Sequence, residues 1–123
     1  MPHILFLSLV PEDRTLNRPE MIKEAINKAI IGTEGLNLTA DDITHTFVED
    51  STVVSGKTPV VIVVDLLFIK PERTFKVCQE LAASVGCAFQ ATVRGWRQVM
   101  PASIEVAVRR FDQTNEGFCK IIE

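Results

Sequence analysis

Positive charge is in short supply in this sequence. Its 123 residues carry 13 Lys and Arg against 16 Asp and Glu, a net charge of −3 at pH 7 with a pI near 5.4. A surface that tracks phosphates needs an excess of cations, so nucleic-acid binding is disfavoured. Long apolar runs are missing too. No stretch approaches the roughly 18 apolar residues of a membrane-spanning helix, and no membrane partner is expected. The opening Met1-Pro2-His3 has neither a basic segment nor a small-residue cleavage site, which reads against a signal peptide and for a cytoplasmic location. Cysteine is scarce and odd in number: Cys78, Cys87 and Cys119, with no Cys-x-x-Cys pair. That argues against a disulfide framework or a thiolate zinc site and for reduced, buried thiols. His3 and His45 are the two histidines and lie far apart in sequence, so no metal is expected.

What is present describes one globular domain over residues 1–123. Apolar residues make up 46% and charged residues 24%, enough apolar surface to offset the entropy of ordering. Residues 3–10 form an apolar run suited to a buried strand, ended by Pro11. Pro19 suits a helix's first turn, and Met21, Ile22, Ala25, Ile26, Ala29 and Ile30 recur at three- and four-residue spacing, with Gly32 or Gly35 as the end. Residues 43–48 read as a second strand, and Glu49 to Pro59 as a polar loop. Val60 to Ile69 is the strongest strand, β-branched and apolar throughout except for Asp65. Pro71 and Glu72 open a second helix, followed by Phe75, Cys78, Leu81, Ala82 and Val85. Beyond Gly86 the pattern fits a helix to about residue 94, with a short strand at 89–93 as the alternative. Ile104 to Phe111 is a further strand, and Phe118 to Ile122 reads as a short edge strand.

The order is strand–helix–strand, twice, with halves of about 1–58 and 59–123. The expected fold is α+β: a duplicated β-α-β unit forming a four-stranded mixed sheet with two helices on one face. Val60 to Ile69 is apolar on both sides, yet the helices cover only one. The other face calls for a second copy or for connections that fold over it, and a homo-oligomer is expected.

Met1-Pro2-His3-Ile4 at the head of a duplicated β-α-β chain of this size resembles the tautomerase superfamily, which includes the oxalocrotonate tautomerases, the macrophage migration inhibitory factors and the haloacrylic acid dehalogenases. The segment Val64-Asp65-Leu66-Leu67-Phe68-Ile69-Lys70-Pro71 is similar to a tautomerase-like branch with an acidic residue in the third strand and a basic-Pro segment after it. The resemblance implies a homotrimer that needs no cofactor and acts as a tautomerase or isomerase on a small anionic, enolisable acid. Pro2, once Met1 is removed, would be the general base. An α-amino group titrates near roughly 7.7–8.0, and burial beside cations lowers that value towards neutrality. While Met1 is attached the same nitrogen is an amide without basicity.

Lys70 and Arg73 would hold the substrate carboxylate, since a three-residue spacing at a helix start aims both at one anion. Lys70 stands where similar members carry Arg, which weakens a two-pronged clasp. Asp65 either pairs with Arg109, Arg110 or Arg94 or lines the pocket. Asn115-Glu116-Gly117-Phe118 resembles a segment that closes the site in relatives, with Phe118 as an apolar wall. Arg94-Gly95-Trp96-Arg97 matches no motif and is expected at the surface or at a subunit contact. The competing reading is an oligomer of this fold without catalysis, serving a binding or structural role.

Overall fold

A computed structural model describes residues 2–48, 58–117 and 119–122. Four strands, β1 (His3–Leu7), β2 (Thr44–Phe47), β3 (Val60–Phe68) and β4 (Ile104–Phe111), form one sheet in the order β2-β1-β3-β4. β1 runs parallel to β2, β3 parallel to β4, and β1 antiparallel to β3. Two helices, α1 (Arg18–Ile31) and α2 (Phe75–Arg94), are the crossovers of the two halves. This is the α+β sheet expected from the duplicated pattern.

The core forms where the two periodicities meet. Ile4 and Phe6 of β1 and Val60, Ile62 and Val64 of β3 point to one face at two-residue spacing. Ile22, Ile26 and Ile30 of α1 and Leu81, Val85, Phe89 and Val93 of α2 cover that face at helical spacing. Each fully buried side chain of this size contributes about 1.5–3 kcal/mol. The opposite face carries half-buried Leu5, Leu7, Val61 and Val63 with exposed Ala107, so the helices leave apolar sheet surface uncovered.

Several boundaries differ from the sequence pattern. β1 stops at Leu7, not Val10, because Ser8 turns into the left-handed region (φ 63°) and Pro11–Arg14 forms a 3-10 turn. α2 starts at Phe75 behind Thr74, whose hydroxyl accepts the Val77 N–H at 3.3 Å, so Pro71 and Glu72 lie in a turn before the helix. Residues 89–93 are helical, and α2 passes straight through Gly86, where a Cβ would stand 3.3 Å from Val106 Cγ2. The glycine is a point of close helix–sheet approach and not an end. Residues 119–122 form no strand. Phe118 and residues 49–57 lie outside the described residues.

The largest departure is at residues 94–97. Arg97 is buried, and its Nε donates to both oxygens of buried Asp13 at 3.0 Å. Its Nη2 also pairs with Asp13 Oδ2. Trp96 Nε1 donates to Asp13 Oδ1 at 2.9 Å, and the Arg18 guanidinium lies 5.2 Å from the Trp96 ring centroid. Of the segment expected at the surface or at a subunit contact, Trp96 and Arg97 thus form an internal lock between the turn after β1 and the end of α2, while Arg94 and Gly95 are exposed. Its acidic partner is 84 residues away.

His45 on edge strand β2 gives a pH prediction. Its Nε2 lies 2.6 Å from Asn27 Oδ1, its ring stacks on Phe6, and its Nδ1 has no hydrogen-bond partner among the described residues. Burial, then the charges of Lys23 and His3, depress its pKa from 6.5 to about 4. The unfolded chain therefore binds a proton between those values that the folded chain does not. Stability is full above pH 6.5 and falls as the pH drops towards 4. Chemical denaturation of His45→Gln across that range is expected to show a flatter profile; an unchanged slope would remove His45 as its source.

Candidate functional site

The topology gathers three distant segments at one end of the sheet. Because β1 and β3 are antiparallel, with His3 opposite Asp65, the start of β1 lies beside the end of β3. Because β2 is parallel to β1, the segment leading into β2 arrives at the same end, where the Thr44 N–H donates to the Pro2 carbonyl at 3.2 Å. A cavity of about 190 Å³ lies there, lined by Pro2, Asn37, Leu38, Asp42, Phe68, Lys70 and Arg73. Pro2 is buried and Lys70 exposed. Three residues singled out in the sequence, Pro2, Lys70 and Arg73, thus share one wall.

Arg73 occupies an unusual position. It is 3% exposed, and its guanidinium spans two parts of the wall: Nη1 donates to the Phe68 carbonyl at 2.8 Å and Nη2 to the Leu36 carbonyl at 3.1 Å. Nε has no partner among the described residues, and no carboxylate there pairs with this guanidinium. Arg73 ties the end of β3 to the segment before β2. Gly35 permits that closeness, since at φ 94° a Cβ would stand 3.1 Å from the Glu72 carbonyl.

Asp65 stands elsewhere. Its Oδ2 accepts from Arg109 Nη2 at 2.6 Å and its Oδ1 from the Leu66 N–H at 2.9 Å, and it is not among the cavity residues. Leu66 has φ 55°, and the register with β4 shifts between Val64 and Leu67, so Asp65 braces a bulge. Beyond the bulge Leu67 is buried and Phe68 reaches the cavity. The Arg109 side chain is 62% exposed, so the pair is worth at most about 1 kcal/mol. Asp65→Asn is accordingly expected to move the urea midpoint little and to leave ligand binding at the cavity intact; a large loss of binding would return Asp65 to the site.

Asp42 is the cavity residue that the sequence pattern did not single out. It closes a turn with Thr39, whose N–H and hydroxyl donate to its Oδ2 at 2.8 and 3.1 Å. The Thr39 N–H, then the Thr39 hydroxyl, hold its carboxyl below the usual carboxylate range, with Lys70 acting in the same direction. Asp42 is therefore ionised at neutral pH. Thr39-Ala40-Asp41-Asp42 reads as an ordinary capping turn, and nothing local shows that the turn faces Lys70.

Two wider clefts, of about 430 and 440 Å³, lie along α2 and between the helices, and neither has a buried charged side chain in its wall. Among the described residues no cluster of His, Cys, Asp or Glu could hold a metal ion, and no helix is long and apolar enough to cross a membrane.

No family model matches the sequence, and no curated protein matches it. Solved structures do match the fold. A fused 4-OT, a wild-type asymmetric trimer, is 13% identical with a TM-score of 0.65, covering 95% of this chain and 90% of its own. A malonate semialdehyde decarboxylase inhibited by 3-bromopropiolate is 17% identical with a TM-score of 0.56, covering 98% and 89%. A member of the cis-3-chloroacrylic acid dehalogenase family is 10% identical with a TM-score of 0.61, covering 95% and 78%. The chain shares the fold of these three structures, which is the fold its resemblance implied.

Proposed function

We propose that this protein is a homo-oligomeric isomerase of the tautomerase type, acting on a small enolisable keto or unsaturated acid with Pro2 as general base. The observation that carries this reading is the placement of buried Pro2 in one cavity wall with Lys70 and Arg73, which lie some seventy residues away in sequence. Once Met1 is removed, Pro2 carries a secondary amine in a buried position beside two cations. Both conditions favour its neutral, basic form. The amine takes a proton from the carbon next to the substrate carbonyl, and the electron pair left behind moves onto oxygen as an enolate. Lys70 stabilises that charge as it develops, with the field of Arg73 behind it. The proton returns to another atom of the same conjugated system, so composition is unchanged and no redox partner is required.

The oligomer follows from the sheet face that the helices leave uncovered, around Leu5, Leu7, Val61 and Val63. The fused 4-OT of the same fold is a trimer, which favours a homotrimer here.

Two measurements on untagged protein test the reading. Its intact mass is expected to lack Met1, and ketonisation of phenylenolpyruvate (the enol of phenylpyruvate) or of a 2-hydroxydienoate is expected to depend on Pro2. Retention of Met1 would overturn proline-base catalysis, and an unchanged rate in Pro2→Ala would remove the need for the proline ring and leave the terminal amine, which alanine also supplies, as the base. An oligomeric protein that binds small acids without converting them would be the reading left.

A further inference from the structure

Resting on the assignment of this cavity as the substrate site, we infer that it selects monoanions over dianions, because Lys70 is the one exposed cation among its described lining residues and the ionised Asp42 lines the same space. Two nearby basic residues in a sequence suggest two arms for one carboxylate, or one arm for each of two. The structure withdraws one of them. Each terminal nitrogen of Arg73 donates to a carbonyl, of Phe68 and of Leu36, which fixes the guanidinium, and the residue is 3% exposed although its Nε has no partner among the described residues. Leaving those carbonyls to reach a ligand would give up two hydrogen bonds, the one to Leu36 buried. Arg73 thus contributes a fixed positive field from within the wall and holds its shape.

Lys70 is different. It is exposed and has no salt bridge to a carboxylate among the described residues. Its ammonium is a mobile point charge, able to follow one anionic group. Asp42 completes the balance. Its Oδ2 is held by Thr39, while Oδ1 accepts no hydrogen bond among the described residues. Two cations and one carboxylate leave the wall a single positive charge. A ligand with one carboxylate satisfies Lys70 and meets the field of Arg73. A second carboxylate in a space of about 190 Å³ meets no second exposed cation among the described lining residues and shares the cavity with Asp42. Like charges brought together in a partly dry site cost several kcal/mol, so discrimination arises from repulsion as much as from attraction. The volume, about six times one water's share of the liquid, sets the size limit at small acids.

Crotonate and fumarate share a four-carbon unsaturated skeleton and differ by one carboxylate, which makes them a matched pair of probes. Binding is measured by NMR titration of the untagged, oligomeric protein. Crotonate is expected to bind at least about tenfold more tightly than fumarate. Lys70→Met is expected to weaken crotonate by about tenfold or more. Asp42→Asn keeps the turn's acceptor oxygen but removes the charge, and is expected to bring fumarate towards crotonate. Fumarate binding equal to or tighter than crotonate, a ratio unmoved by Asp42→Asn, or no binding of either acid would overturn the inference. Preference for crotonate without any proton transfer on enolisable substrates would sink the catalytic reading and leave the charge selection standing. Turnover of dicarboxylates with undiminished affinity would do the reverse.

Discussion

Asp13→Ala is expected to destabilise the fold by about 3–5 kcal/mol, the largest single effect foreseen outside the apolar core. Asp13 is fully buried and receives Arg97 through Nε and Nη2 together with the Trp96 indole N–H. Truncation leaves a buried guanidinium without its counter-charge and an indole donor without its acceptor. The bond also joins the turn after β1 to the residues following α2, so its loss loosens the path into β4. Urea denaturation of the variant is expected to show a lower midpoint with an unchanged slope. A loss below about 1 kcal/mol would show that the pair contributes no more than a surface contact. The double variant Asp13→Leu with Arg97→Met removes both charges together and is expected to recover much of the loss, since an apolar pair of matching volume carries no desolvation penalty.

The second large effect is on rate. A variant carrying one extra, uncleaved residue before Pro2 keeps the proline nitrogen in an amide. It is expected to lose about 10²–10⁴-fold in proton-transfer rate while its far-ultraviolet circular dichroism stays that of the parent. An amide nitrogen cannot take up a proton near neutral pH, whatever its surroundings. The same substrate assays decide the matter: a rate within about threefold of the parent would place the base elsewhere in the cavity, with Asp42 the nearest candidate. Pro2→Ala is the milder test, because a primary amine remains there once Met1 is removed.

The two ends of the sheet show how one local motif serves opposite purposes. Val10-Pro11-Glu12-Asp13 follows β1, and Lys70-Pro71-Glu72-Arg73 follows β3. Both turns close with an N–H to carbonyl bond of 3.0 Å, from Asp13 to Val10 and from Arg73 to Lys70. After β1 the fourth residue is an acid, and the chain's own Arg97 seals that end. After β3 it is an arginine that takes only carbonyls, and a cavity with a net positive wall remains. Both Pro-Glu pairs are visible in the sequence, but the identity of the group that meets the fourth residue is not.

Legibility followed distance along the chain. The strands at 60–69 and 104–111 and the helix over 21–30 announced themselves through spacings of two and of three or four residues. So did the duplication, and with it the sheet. Lys70 and Arg73 stood out because both lie in one turn. Ser8 and Leu66, which end β1 and kink β3, carry no left-handed signature in their side chains. Gly86 sits inside the helical pattern with no visible reason until Val106 is seen against it. Trp96 and Arg97 look like solvent-facing residues until Asp13 is placed beside them.

What the amino-acid order decided by itself is the set of elements and the faces they must bury, because hydrophobic periodicity acts within a few turns or pleats. Tertiary structure alone decided which charges are spent and which are free. Arg97 is neutralised by Asp13, Arg73 is held by two carbonyls, and Lys70 is left exposed in the lining of a cavity that it shares with Pro2 and Asp42. The physical reason is that a charged group's role depends on its partners and its access to water, and both are fixed only when segments tens of residues apart are brought into contact.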